Sequence, residues 1–199
     1  MIPQEFEPYL DFWLEGQKKG FAGDLPRTKL PDGSKRVVLF NKPVLQADLL
    51  YVDRWYGSDL GGGQTILYHL PETTPPVLDI SNFEGKPIAR LGYSGEIVRR
   101  FTKEEMKNLE EVFGSSISQS DIIWKVLKSA LSKVTKERPL RGPGRVSFSE
   151  FPAFCYLSEE KRAGENRIVG DEEITFFGIP CFQGNYDFTL IKKNLEDKL

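Results

Sequence analysis

The sequence predicts an α+β domain, a curved antiparallel sheet of two meanders packed against about three helices. Three observations carry that expectation. Residues 48–95 alternate apolar and polar side chains between turn signals, the pattern of half-buried strands. Residues 103–135 change to a helical period. From about residue 151 the strand pattern resumes, with a glycine–tyrosine echo of the first half.

The first predicted element is a helix over 4–19. Phe6, Leu10 and Trp13 recur at helical spacing beside Tyr9 and Phe12, Gly16 weakens its end and Gly20 stops it. Pro31-Asp-Gly-Ser34 marks a turn and 36–40 a short strand, which Asn41-Lys-Pro43 ends. In the next strand Leu49, Tyr51, Asp53 and Trp55 point one way, and Leu50, Val52, Arg54 and Tyr56 the other. Residues 57–63 read as a flexible connection containing the Gly61–Gly63 run, followed by strands at 64–70, 77–83 and 86–93, with a turn at Glu84-Gly85.

Thr102-Lys-Glu-Glu105 is a capping box that opens a helix over 103–113, closed by Gly114. A second helix spans 120–135, with Ile123, Leu127, Ala130, Leu131 and Val134 inward and Lys125, Lys128, Ser132 and Lys136 outward. Pro139 forbids its extension. Strands are expected at 151–157, 166–169, 172–177 and 179–191, before a frayed charged tail at 192–199.

Composition bounds the function. A chain of 199 residues suits one domain, and at that size burial of about 70 % of the unfolded surface needs no metal or disulfide. With 27 basic and 29 acidic residues there is no bulk attraction to nucleic acid or an anionic membrane. The N-terminus carries acids where a signal peptide needs positive charge, and no apolar run approaches the roughly 20 residues of a membrane span. Cys155 and Cys181 read as buried free thiols of a cytoplasmic protein.

Chemical motifs are few. Gly61–Gly63 is not a phosphate loop, because no lysine followed by serine or threonine comes after it and a strand does. His69 is the lone histidine, so neither a metal site nor a serine–histidine triad has its parts, and no cofactor is implied. Between Lys125 and Arg145 lie seven basic residues against one acid, chiefly the solvated face of a helix. Arg138 and Arg141 differ, since their proline-bearing loop is rigid and their forks suit a carboxylate or phosphate; Asp53, Asp59 or an anionic ligand are their expected partners.

The aromatic set Tyr51, Trp55, Tyr56, Tyr68 and Tyr93 is the main candidate for function. Tyr51, Asp53 and Trp55 share one strand face, which is either core or the wall of a pocket. The candidate ligand-binding residues are Tyr51, Asp53, Trp55, Tyr56, Gln64, Tyr93, Arg138 and Arg141; there are no catalytic or metal candidates.

Two segments echo each other. Phe83-Glu-Gly-Lys-Pro-Ile to Tyr93-Ser-Gly95 and Phe177-Gly-Ile-Pro-Cys to Gly184-Asn-Tyr186 each join an aromatic, a turn glycine, a proline and a tyrosine beside glycine. Shared hairpin chemistry accounts for that match as well as duplication does.

The run Tyr51-Val-Asp-Arg-Trp-Tyr-Gly57, with Gly63-Gln64, Phe83-Glu-Gly-Lys-Pro87, Gly92-Tyr-Ser-Gly95, Arg138-Pro-Leu-Arg-Gly-Pro143 and Gly20-Phe-Ala-Gly23, resembles an uncharacterised bacterial domain of unknown function. Members of that family occur alone or behind XRE-type helix-turn-helix regulators. The Gly61–Gly63 run and the long Pro71–Pro76 loop depart from its pattern. The resemblance implies a shared fold and a stand-alone member, supplies no catalytic residues, and hints at effector sensing.

The leading expectation is therefore a non-enzymatic small-ligand-binding or sensor domain, with Arg141 as an anion clamp. The alternative is a protein-interaction or homodimerisation module. A third is a small hydrolase or lyase using Asp53 or Glu84 with a tyrosine.

Overall fold

The computed structural model describes residues 2–20, 22–42, 47–57, 59–70, 85–142 and 144–191. The predicted strand at 77–83, the turn at Glu84 and the frayed tail lie outside these.

Among the described residues nine strands form one continuous antiparallel sheet: β1 (Thr28–Lys29), β2 (Lys35–Phe40), β3 (Leu49–Gly57), β4 (Leu60–His69), β5 (Lys86–Ile97), β6 (Arg145–Ser147), β7 (Phe154–Arg162), β8 (Arg167–Phe176) and β9 (Ile179–Leu190). Their spatial order is β1-β2-β3-β4-β5-β9-β8-β7-β6. The α+β class holds, but the expected pair of meanders is a single dominant sheet, because β5 and β9 pair along nine residues. Along that seam the tyrosines and glycines of the echo face each other: Tyr93 lies opposite Tyr186 and Gly95 opposite Gly184.

The helices are α1 (Leu10–Lys19), α2 (Lys103–Phe113) and α3 (Gln119–Leu131). The single helix expected over 4–19 is a 3-10 turn (Gln4–Tyr9) followed by α1. Pro8 lies inside the turn and has no N–H to give to a helical ladder. The capping box Thr102–Glu105 forms as expected, and α3 starts earlier than expected through a second box, Ser118 with Asp121.

Three strand expectations are corrected. Gly61–Gly63 is not a flexible connection; all three residues pair within β4. The two short strands expected at 166–169 and 172–177 are one strand, β8, running through Gly170. Glycine permits both, because a tyrosine ring crosses each strand there: a Cβ on Gly63 would stand 2.5 Å from the Tyr93 hydroxyl, and one on Gly170 2.4 Å from that of Tyr186. The strand expected at 151–157 begins at Phe154, after a tight turn in which the Phe154 N–H donates to the Phe151 carbonyl.

Burial divides the sheet's faces. Val37, Tyr51, Trp55, Leu67, Leu91, Tyr156, Ile174, Phe182 and Phe188 point to the side where the helices pack. Trp13 anchors α1 there, edge-on to Tyr51 and Phe188, with its indole N–H on the Pro139 carbonyl at 3.1 Å. Arg54, Tyr56, Arg90, Ser94 and Glu96 are exposed on the opposite face, called here the open face.

Candidate functional site

Five of the eight sequence candidates meet on the helix side. Asp53 on β3 is almost fully enclosed, and its Oδ1 accepts from the Tyr93 hydroxyl at 2.8 Å and the Thr65 hydroxyl at 3.0 Å. Register dictates both contacts. Thr65 is opposite Asp53 on β4, and Tyr93 leans across Gly63 to reach it. Desolvation pushes the Asp53 carboxyl up to about 6, with the two hydroxyl donors opposing it. Burial, reinforced by the Asp53 charge, raises the Tyr51 and Tyr93 phenols well above their ordinary value.

Arg141 is buried but is not an anion clamp, because Glu172 on β8 holds it bidentately, Nη2 to Oε1 at 2.7 Å and Nε to Oε2 at 3.2 Å. Its guanidinium lies 4.7 Å from the centre of the Tyr93 ring. Tyr156 completes the group, donating to Glu172 Oε2 at 2.9 Å and lying 2.6 Å from the Arg141 carbonyl. The ion pair with Asp53 or Asp59 does not form; Asp59 instead pairs with Arg100 and takes the Ser120 hydroxyl. Glu172 and Tyr156 escaped the sequence reading, since each lies in an unremarkable strand pattern. Only the inward position of an acid in β8 marks Glu172.

The seam Thr65–Asp53–Tyr93–Arg141–Glu172–Tyr156 leaves little room. The cavity bounded by Trp55, Tyr93, Trp124, Arg141 and Glu172 has a volume of about 10 Å³, roughly one water. Tyr51 is wholly buried against α1. The aromatic face around Asp53 is packed interior.

Arg138 stands apart, donating to the Ser158 carbonyl at 3.1 Å. Tyr56 and Gln64 lie on the open face, where β2–β5 form a furrow of about 1040 Å³. By register Arg36, Arg54, Gln64 and Gly92 form one row across four strands. With the Gln64 amide oxygen turned toward it, the Arg90 guanidinium donates to Gln64. Arg54 donates to Ser34 at 2.9 Å and pairs with Asp32. Gly92 forms part of the furrow's wall.

Neither cysteine is in a disulfide; burial pushes the Cys181 thiol up to about 12. Among the described residues no group of acids, cysteines and histidine could hold a metal ion, and no helix is long and apolar enough to cross a membrane. Comparison with protein-family models, curated proteins and solved structures finds no match to the chain.

Proposed function

We propose that the chain is a small-ligand-binding domain of the sensor type, without chemistry of its own, whose ligand lies in the open-face furrow of β2–β5. The observation that carries this reading is Gly92. It sits in mid-sheet, paired on both sides, with no left-handed φ to require glycine. A Cβ there would meet nothing within 4 Å among the described residues. Glycine weakens a strand interior, and one reason to keep it is the close approach of another molecule. The furrow's size is near the upper end of small-molecule sites, roughly 300–1,000 Å³. The Asp53 carboxyl is enclosed, with its Oδ1 taken by the Thr65 and Tyr93 hydroxyls, and this favours binding on the open face over hydrolysis at that acid.

Gly92→Val tests the reading because its two consequences oppose each other. A β-branched side chain stabilises a strand, by up to about 1 kcal/mol, while its methyls fill the furrow. In a thermal-shift screen of a fragment library, the variant should melt at or above the wild-type temperature and lose the wild-type hits. An unchanged hit list, or no wild-type hit, overturns the proposal.

The alternative of protein interaction has an observation of its own. Phe177 adopts φ 49° at the β8–β9 hairpin and is 75 % exposed, beside exposed Ile179. A bulky residue held there is strained and displays its ring. The sheet edges favour this reading less, because β1 and β6 are two and three residues long and offer short templates. Sedimentation of wild type and Phe177→Ser decides: concentration-dependent mass lost in the variant supports association through the tip, and a monomer throughout opposes it.

A further inference from the structure

We infer that the furrow's ligand is an oxyanion, a carboxylate or phosphate, attached to a flat ring, with the oxyanion on Arg36 and Arg54 and the ring against Tyr56. This rests on the furrow being a ligand site, and adds the chemistry of the ligand.

The described furrow residues include Arg36, Arg54 and Arg90 against a single acid, Asp32. A positive surplus is thus concentrated in a chain whose formal net charge is −2. A neighbouring depression on the open face has the other sign: Glu96, Glu159, Asp171 and Glu173 line it over β5, β9, β8 and β7. An anion is therefore drawn to the β2–β5 side and repelled from its neighbour.

Two local features favour an anion there. Arg36 and Arg54 stand directly opposite each other on paired strands, where like charges destabilise a sheet. Asp32 answers only Arg54. The Arg36 Nε is also buried without a hydrogen-bond acceptor, and an unmet buried donor costs about 1–3 kcal/mol. One oxyanion between the two guanidinium forks offsets the like charges and, with the Arg36 side chain turned outward, gives its Nε an acceptor, since planar forks bind carboxylate and phosphate through paired N–H groups. Tyr56 is two residues beyond Arg54 on the same face, about 7 Å along the strand. It is 63 % exposed, so its ring is free to lie against the ring of a ligand whose charged group reaches the arginines.

The experiment uses the full chain and four probes, namely phenyl phosphate, benzoate, inorganic phosphate and neutral benzyl alcohol, followed by amide chemical shifts. The inference expects phenyl phosphate or benzoate to shift the Arg36, Arg54, Gln64 and Gly92 amides at lower concentration than phosphate or benzyl alcohol. The stronger of the first two identifies the oxyanion. Arg36→Gln should weaken binding roughly tenfold to a hundredfold, the worth of a charged hydrogen bond, and Tyr56→Ala should remove the advantage of phenyl phosphate over phosphate. An unchanged amide spectrum away from each substitution shows that the variants fold. If benzyl alcohol shifts the furrow amides as well as the anions do, the ligand chemistry is wrong while the furrow remains a site. If no probe shifts them and the fragment screen is also empty, both readings fall.

Discussion

At the scale of single residues Asp53 is the most informative. Its carboxyl is raised to about 6, chiefly by burial, whereas an unfolded aspartate titrates near 3.9. Between these values the folded state binds more protons than the unfolded chain, so this residue's contribution is full below about pH 4 and is lost as pH rises through about 6. Depressed carboxyls such as Asp32, Asp59 and Glu105 act in the opposite sense. The comparison that isolates Asp53 is therefore wild type minus Asp53→Asn, by urea unfolding at pH 4.5 and 7. The difference should move in favour of the variant on going to pH 7, by an amount on the order of 1–3 kcal/mol; a pH-independent difference refutes the assignment. Tyr93→Phe removes one of the two donors and should destabilise by about 1–3 kcal/mol at pH 7, less at pH 4.5 where the acid is neutral. Equal losses at both values would mean that the ring, rather than the hydroxyl, matters. The sequence showed Asp53 among aromatics and left pocket and core open, because alternation fixes which face a side chain joins but not what covers that face. The cover comes from Trp13 on α1 and from Arg141, far away in the chain.

At the scale of elements, glycine is where sequence reasoning and structure part most clearly. Capping chemistry is local, so Thr102–Glu105 announced its helix correctly. Ser118–Asp121 has the same form and sets the helix start just before the Ser120 that the sequence suggests. Replacing Ser118 by Ala should cost about 1 kcal/mol in urea unfolding; no loss would show the box to be ornamental. Gly16 read as a weak point near a helix end, yet it lies inside α1, where a Cβ would come 2.3 Å from the Tyr51 ring. Two effects compete in Gly16→Ala: alanine favours the helix by about 1 kcal/mol, and overpacking costs about 1–3. The clash should win, because Tyr51 is fully enclosed between α1 and the sheet and has nowhere to turn. Net destabilisation that Tyr51→Leu partly relieves in the double variant is the expected result, and a more stable Gly16→Ala protein would show that the helix can shift. Nothing in the local pattern distinguishes a glycine that ends a helix from one that lets a helix sit down on a tyrosine.

At the scale of the whole molecule, the two halves of the sheet are tied by β5–β9 pairing and by a charge pair that crosses from loop to sheet. Arg141 follows α3, Glu172 is on β8, Tyr156 on β7 and Tyr93 on β5, so one buried group touches both sides of the seam. The sequence marked Arg141 as special from its rigid loop and misassigned its partner, because 31 residues separate it from Glu172 and no periodicity links them. Taking both charges from water costs several kcal/mol per ion, which their attraction and hydrogen bonds approximately return. The asymmetry appears when one partner is removed. Arg141→Met or Glu172→Met alone should destabilise by about 3–5 kcal/mol, since each strands a buried charge, while the double variant should lose much less than the sum. A cycle of urea unfolding measurements gives the coupling directly, and additive losses would refute it. The same variants bear on function. Arg141 and Glu172 project to the helix side and the furrow lies on the open face, so the double variant, where it folds, should retain ligand shifts at Arg36 and Gly92. Loss of those shifts in a folded double variant would move the binding site from the open face to the buried seam.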